Sequence, residues 1–203
     1  MTPFPFNSAI TWRLRTFILE AKYALIAVAA GDGLSNMFKE LRADVVISGG
    51  QTMNPSSEDF INAFKKLDAE NIIVFPNNGN IIMAARQAAE NYEEANVVVI
   101  PTKSIAECYS ALTMLDFSSD DLDTIVEEFQ STIDNVTAAS VTYSIRDSFI
   151  DDVEIKKDDY MAIIGKKIVA ANPSKIEVVK QLFTKVEDIR WKEVVTLIYG
   201  IDV

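Results

Sequence analysis

Four times between Ala24 and Leu115 the chain runs through the same order: a short apolar stretch, a glycine-rich or polar loop, then a helix with one apolar face. "ALIAVAA" leads through "GDG" to "LSNMFKEL", where Leu34, Met37, Phe38 and Leu41 recur at helical spacing. "DVVIS" leads through "GGQTMNPSS" to a helix striped by Phe60, Ile61, Phe64 and Leu67. "NIIVF" with "PNNGN" precedes "IIMAARQAAENY", and "VVVI" with "PTKS" precedes "IAECYSALTML". Strands apolar on both faces that alternate with amphipathic helices predict a mostly parallel sheet covered by helices on both faces. The repeat is architectural only, without a sequence period, so a solenoid is not expected.

After Asp116 the pattern changes. "SSDDLDTIVEEFQSTIDNV" predicts a long acidic helix capped by Ser118 or Ser119, with Leu122, Ile125, Val126, Phe129 and Ile133 on its apolar face. "SVTYSIRDS", "YMAIIG" and "KKIVAA" read as neighbouring strands, the last two joined by a hairpin near Gly165; "SKIEVVKQLFTKV" is a final amphipathic helix and "EVVTLIYG" a last strand. The predicted fold is thus α/β, a parallel lobe over residues 23–117 followed by a smaller mixed α+β lobe over 118–203. Residues 1–22, with two prolines and an irregular aromatic and basic run, read as a tail or the remnant of an upstream segment. A chain ending on an apolar strand reads as truncated at its C-terminus.

Composition narrows the function classes. With 49% hydrophobic and 24% charged residues over 203 positions, the chain has the balance of a folded globular protein. Its formal net charge of -11 would repel a polyanion, so nucleic acid is an unexpected partner. The most apolar run, Ala24 to Ala30, is far shorter than the roughly 20 residues of a membrane span, and no signal peptide is evident. One cysteine and no histidine exclude an internal disulfide and the usual zinc ligand sets, and a reducing cytoplasm fits best.

In an open parallel sheet, ligands gather beyond the carboxyl ends of the strands. The loops expected there carry Gly49, Gly50, Gln51, Thr52, Asn54, Asn77, Asn78, Asn80 and Thr102, all uncharged, and several open helices whose first N–H groups are free. Asn54 before Pro55, and Ser56 with Asp59, read equally well as helix-start signals. The two glycines at 49 and 50 imply unusual backbone angles or close approach. The asparagines at 77, 78 and 80 read either as turn residues or as contacts, and Arg146 and Asp147 either as an exposed strand pair or as part of a site. "GDG" lacks the third glycine of a dinucleotide loop and the Gly-Lys-Ser/Thr ending of a P-loop, and Asp32 opposes phosphate. Cys108 lies in an apolar helix with no histidine to activate it, so no catalytic residue is assigned. Acidic pairs such as Asp120 with Asp121 or Asp151 with Asp152 read as solvated faces, and no metal site is assigned.

At "GGQTMNPS", "PNNGNIIMAA", "VVVIPTKS" and "VTYSIRD" the sequence resembles the C-terminal region of the ATP-binding component of bacterial fatty acid kinase, also described as dihydroxyacetone-kinase-like or DAK-phosphatase-like. The resemblance runs from about Tyr23 to the end. It implies a part in lipid metabolism and phospholipid synthesis, in which a fatty acid held by a separate DegV-type carrier protein is phosphorylated on its carboxylate. ATP and magnesium are expected on an N-terminal helical domain with no counterpart here, so no cofactor is expected in this chain, and its implied role is non-catalytic: docking the fatty-acid-binding carrier, with a homodimer as a further possibility. The implied fold is related to the DegV-like carriers and the dihydroxyacetone-binding kinase domain. The chain departs from the family where glycine is usual, at Arg42, Ala139 or Ser140, Asp158 and Ala162, and it lacks the histidine that captures dihydroxyacetone. The alternatives carried forward are a dihydroxyacetone-kinase-like or phosphatase-like enzyme and a small-molecule-binding module.

Overall fold

Six consecutive residues, Ala24 to Ala29, are each at most 3% exposed, and this unbroken burial makes β1 (Ala21–Ala29) an interior strand. The computed structural model describes residues 21–50, 53–114 and 121–200. In it β1 lies within a four-stranded parallel sheet of order β2-β1-β3-β4, with β2 Val45–Ser48, β3 Ala69–Phe75 and β4 Asn96–Val99. Ile26 stands in register with Val45 on one side and Val74 on the other.

Because side chains alternate across a strand, the sheet buries two separate sets. Leu25, Ala27, Ala29, Ile73 and Phe75 face α1 (Asp32–Glu40), α4 (Ile105–Thr113) and α5 (Leu122–Asp134). Ile26, Val28, Ile72 and Val74 face α2 (Ser57–Phe64) and α3 (Ile82–Glu90). Helices therefore cover both faces, as the apolar runs predict. The acidic helix α5 belongs to this core: Phe129 meets Phe75 edge to face at 5.1 Å and 89°, a geometry that adds about 1 kcal/mol to the burial itself. Its N-cap is Asp121, whose carboxylate accepts from the Thr124 N–H at 3.2 Å; Ser118 and Ser119, expected in that role, lie outside the described residues.

A three-stranded antiparallel sheet follows, of order β5-β8-β9, with β5 Ala139–Tyr143, β8 Tyr160–Ile164 and β9 Lys167–Asn172. The β8 to β9 turn holds Gly165 at φ 60, as the hairpin predicts, and α6 (Lys175–Lys185) sets Val178 and Leu182 on Ala162 and Ala170. A short hairpin, β6 (Ser148–Ile150) with β7 (Val153–Ile155), was not apparent in the sequence. The expectation of a last strand at "EVVTLIYG" is corrected: residues 192–200 form no strand, and Val194, Leu197 and Tyr199 are each at least 75% exposed. Strand character is a property of a hydrogen-bonded pair, and no described strand pairs with this segment. No helix among the described residues is long and apolar enough to cross a membrane.

Candidate functional site: the carboxyl edge of the parallel sheet

The strand order places the switch point of the sheet between β1 and β3. The chain leaves β1 for α1 on one face and leaves β3 for α3 on the other; in open α/β sheets, ligands bind at the carboxyl edge beside such a switch point. Residues 30–33 stand on one side of it and residues 76–80 on the other. The loops after β2 and β4 flank them.

On the β3 side, Asn77 does not face solvent. It is 8% exposed, adopts φ 60, and directs its side chain inward: Nδ2 donates to the Val28 carbonyl at 2.9 Å, and Oδ1 accepts from the Thr102 hydroxyl at 2.8 Å. Its own N–H donates to the same hydroxyl oxygen at 3.0 Å. Thr102 is fully buried. Two of the expected contact residues are therefore joined to each other rather than offered to a ligand, and the Val28 carbonyl that completes the group gave no sign in the sequence beyond its place at the end of a buried strand. The neighbouring Asn78 and Asn80 do reach the surface, where the Asn78 carboxamide oxygen accepts from the Asn80 N–H at 2.9 Å.

On the β2 side, Gly49 is buried, its N–H donating to the Ala29 carbonyl at 3.0 Å, and Gly50 donates to the Met53 carbonyl at 2.9 Å. Neither needs a positive φ; close approach is the reason for the pair, since Pro55 and Val28 crowd Gly49 and Ala30 lies against Gly50. Gln51 and Thr52 lie outside the described residues. Met53 and Asn54 are exposed. The helix-start reading falls to Ser56, which forms a capping box with Asp59, while Asn54 is not a cap. Those hydrogen bonds hold the Asp59 carboxyl below its ordinary range.

Arg146 and Asp147 belong elsewhere, on the turn between β5 and β6 in the antiparallel unit. Asp147 Oδ1 accepts from the Lys157 N–H at 2.7 Å, closing that turn onto the segment after β7, and Arg146 is exposed. An open depression of about 430 Å³ lies beside Asp147, walled by Glu154, Lys156, Lys157, Ser148 and Ile155. Its walls are charged and it is not enclosed, unlike the apolar clefts that hold small molecules.

Burial pushes the Cys108 thiol up to about 12, with a hydrogen bond to Asn77 opposing only part of that effect. No group of three acidic or thiol side chains among the described residues is arranged to hold a metal ion. At the start of α1, Gly31 and Gly33 enclose Asp32, whose carboxylate disfavours a phosphate. That turn is therefore a poor phosphate cradle, and no step of phosphoryl transfer is assigned to the described residues.

These features define an α/β domain with a doubly wound parallel sheet, a loop edge rich in uncharged hydrogen-bonding side chains and an attached antiparallel unit. The chain belongs to the FakA-like C-terminal family, named for the C-terminal region of a fatty acid kinase component, and the match covers residues 24–203. It is 43% identical over 181 residues to an uncharacterized protein of Staphylococcus saprophyticus, covering 88% of this chain and 32% of that protein. It is 41% identical over 183 residues to Protein YloV of Bacillus subtilis, covering 89% of this chain and 32% of that one. The chain thus spans about a third of the length of the curated relatives it matches. Among solved structures, a phosphotransferase system component EIIA from Streptococcus agalactiae aligns with 55% of this chain and 92% of its own at 15% identity, with a TM-score of 0.39, too slight a likeness to bear on fold or function.

Proposed function

We propose that this chain is a non-catalytic docking region of a fatty acid kinase, which engages the fatty-acid-binding carrier protein through the carboxyl edge of its parallel sheet. The kinase reaction, formation of an acyl phosphate from ATP and the carrier-held fatty acid, belongs in this reading to an ATP-binding domain elsewhere in the full-length protein. Family membership supports the system. The observation that carries the docking surface is the uncharged run from Val45 to Ser57, in a chain that is 24% charged, together with the exposed Met53 and Asn54 within it. Interface centres are depleted in charge and enriched in methionine and aromatic side chains, whereas rims and free surfaces are charged. The relation of this fold to the DegV-like carriers, and a homodimer, remain parts of the same reading.

The test is calorimetric titration of the fatty-acid-loaded carrier protein into the purified 203-residue chain. Saturable binding is expected, weakened about tenfold or more by Met53→Asp, which sets a charge in the centre of the contact. A chain with an intact far-ultraviolet spectrum and a cooperative melt that shows no binding overturns the proposal. Turnover of ATP or a phosphomonoester by this chain alone would instead favour the enzyme alternative.

A further inference from the structure

We infer that Asn77 and Thr102 are positioning residues, which set the height and direction of the Asn78–Asn80 loop at the carboxyl edge; this rests on the docking reading for its functional consequence and on geometry alone for its structural one. Three segments meet at the Asn77 carboxamide. Nδ2 holds the end of β1 through the Val28 carbonyl, Oδ1 holds the segment after β4 through the Thr102 hydroxyl, and Asn77 itself continues β3. The hydroxyl of Thr102 returns the bond by accepting the Asn77 N–H, so backbone and side chain of one residue are both fixed to the same atom.

The chemistry admits few substitutes. A carboxylate at 77 would turn an acceptor toward the Val28 carbonyl, and the φ of 60 is a conformation that asparagine and glycine tolerate better than other residues. Just beyond Asn77 the loop surfaces, and it returns to the core at Ile81, which is fully buried and donates its N–H to the Asn78 carbonyl at 3.0 Å. With one end held by Asn77 and the other by Ile81, Asn78 and Asn80 are presented in a fixed arrangement. Loosening the first end frees them without removing any surface group.

The experiment uses the 203-residue chain as wild type, Thr102→Val, Thr102→Ser and Asn77→Gly. Amide hydrogen exchange is followed for residues 77–80 and, as an internal reference, for Ile73 and Val74. Thr102→Val keeps shape and drops the hydroxyl, and protection of the Asn77 amide is expected to fall about tenfold or more while Ile73 and Val74 keep theirs. Thr102→Ser restores the hydroxyl and the protection. Should Thr102→Val not fold, Asn77→Gly suits the same φ and deletes the two side-chain ties; its backbone N–H keeps the Thr102 hydroxyl as partner, so the readout there is faster exchange of the Asn80 amide, which the Asn78 side chain protects. Equal exchange at 77–80 in wild type and in the folded variants overturns the inference, and so does a uniform loss that includes Ile73 and Val74. Titration with the fatty-acid-loaded carrier is the second arm: loss of affinity in Thr102→Val with rescue in Thr102→Ser supports the functional consequence, and unchanged affinity despite a freed loop overturns it. If the wild type binds no carrier, the docking reading fails, and the exchange arm still decides the positioning role.

Discussion

The Pro55 ring occupies the space in which a β-carbon on Gly49 would stand. An alanine methyl there would lie 2.6 Å from Pro55 Cδ and Cγ and 2.9 Å from Val28 Cγ1. The proline is a rigid ring and the valine is buried, so neither yields by a rotamer change. Gly49→Ala is expected to destabilise the chain by about 1–3 kcal/mol, the usual cost of overpacking, read as a lower urea midpoint at unchanged slope. Gly50→Ala, whose new methyl would meet only Ala30 Cβ at 3.1 Å, should cost less. A binding defect in Gly49→Ala would therefore report packing, and contact residues are better probed at Met53 and Asn54.

The Arg42 N–H donates to the Lys39 carbonyl at 3.1 Å and the Ala43 N–H to the Phe38 carbonyl at 2.8 Å, the paired bonds of a Schellman motif, and Arg42 takes φ 71 to make them. The turn thus keeps the conformation that glycine favours, with a residue that bears a β-carbon. Relief of the left-handed penalty is worth roughly 1–2 kcal/mol, and the freer unfolded chain of a glycine variant takes back about 0.4–1 kcal/mol. Arg42→Gly should stabilise the chain, by up to about 1.5 kcal/mol. A lower thermal midpoint in that variant would refute the account.

The capping box of α2 gives a pH dependence with a definite sign. Ser56 N–H and Oγ both donate to Asp59 Oδ2, at 2.8 and 2.7 Å, and these bonds lower the Asp59 pKa from its ordinary 3.8. A depressed folded value means that the ionised carboxylate is favoured by folding, so its contribution is complete above about pH 4 and is lost as pH falls through the lower folded value. The stability difference between wild type and Asp59→Asn should be constant from neutral pH to about pH 5 and close on further acidification. A difference that persists at pH 2 would show that the carboxylate is not its source.

How far sequence reasoning reaches is clearest at particular residues. Phe60 and Phe64 announce α2 because a buried face repeats every three or four residues, and Ala24 to Ala29 announce an interior strand because the run carries no polar side chain on either face. These signals are local. The β6 to β7 hairpin escapes notice because each strand is three residues long and its turn is Asp151 and Asp152, both at positive φ, where asparagine and glycine would have marked it. The segment 193–200 shows the reverse error, an apolar composition without a partner strand. At the site, sequence shows that Asn77 and Thr102 carry hydrogen-bonding groups but not that those groups face each other across 25 positions. Which donors are spent on the fold is a tertiary fact.

Cys108 is fully buried on the inner face of α4, packed in the core that α1 and α5 share, and burial pushes its thiol from 9.0 to about 12. Raising the folded pKa above the unfolded one favours the neutral thiol on folding, so this contribution is complete below about pH 9 and is lost as pH rises through 12. Since the thiolate is the nucleophile, a disulfide reagent at pH 8 should modify the native chain only through global opening, and a chain unfolded in urea should react rapidly with one equivalent. The labelling rate should then climb with urea in parallel with the unfolding transition. Rapid stoichiometric labelling of the native chain would mean that the α4 face opens on its own, and would put Cys108 within reach of solvent beneath Asn77.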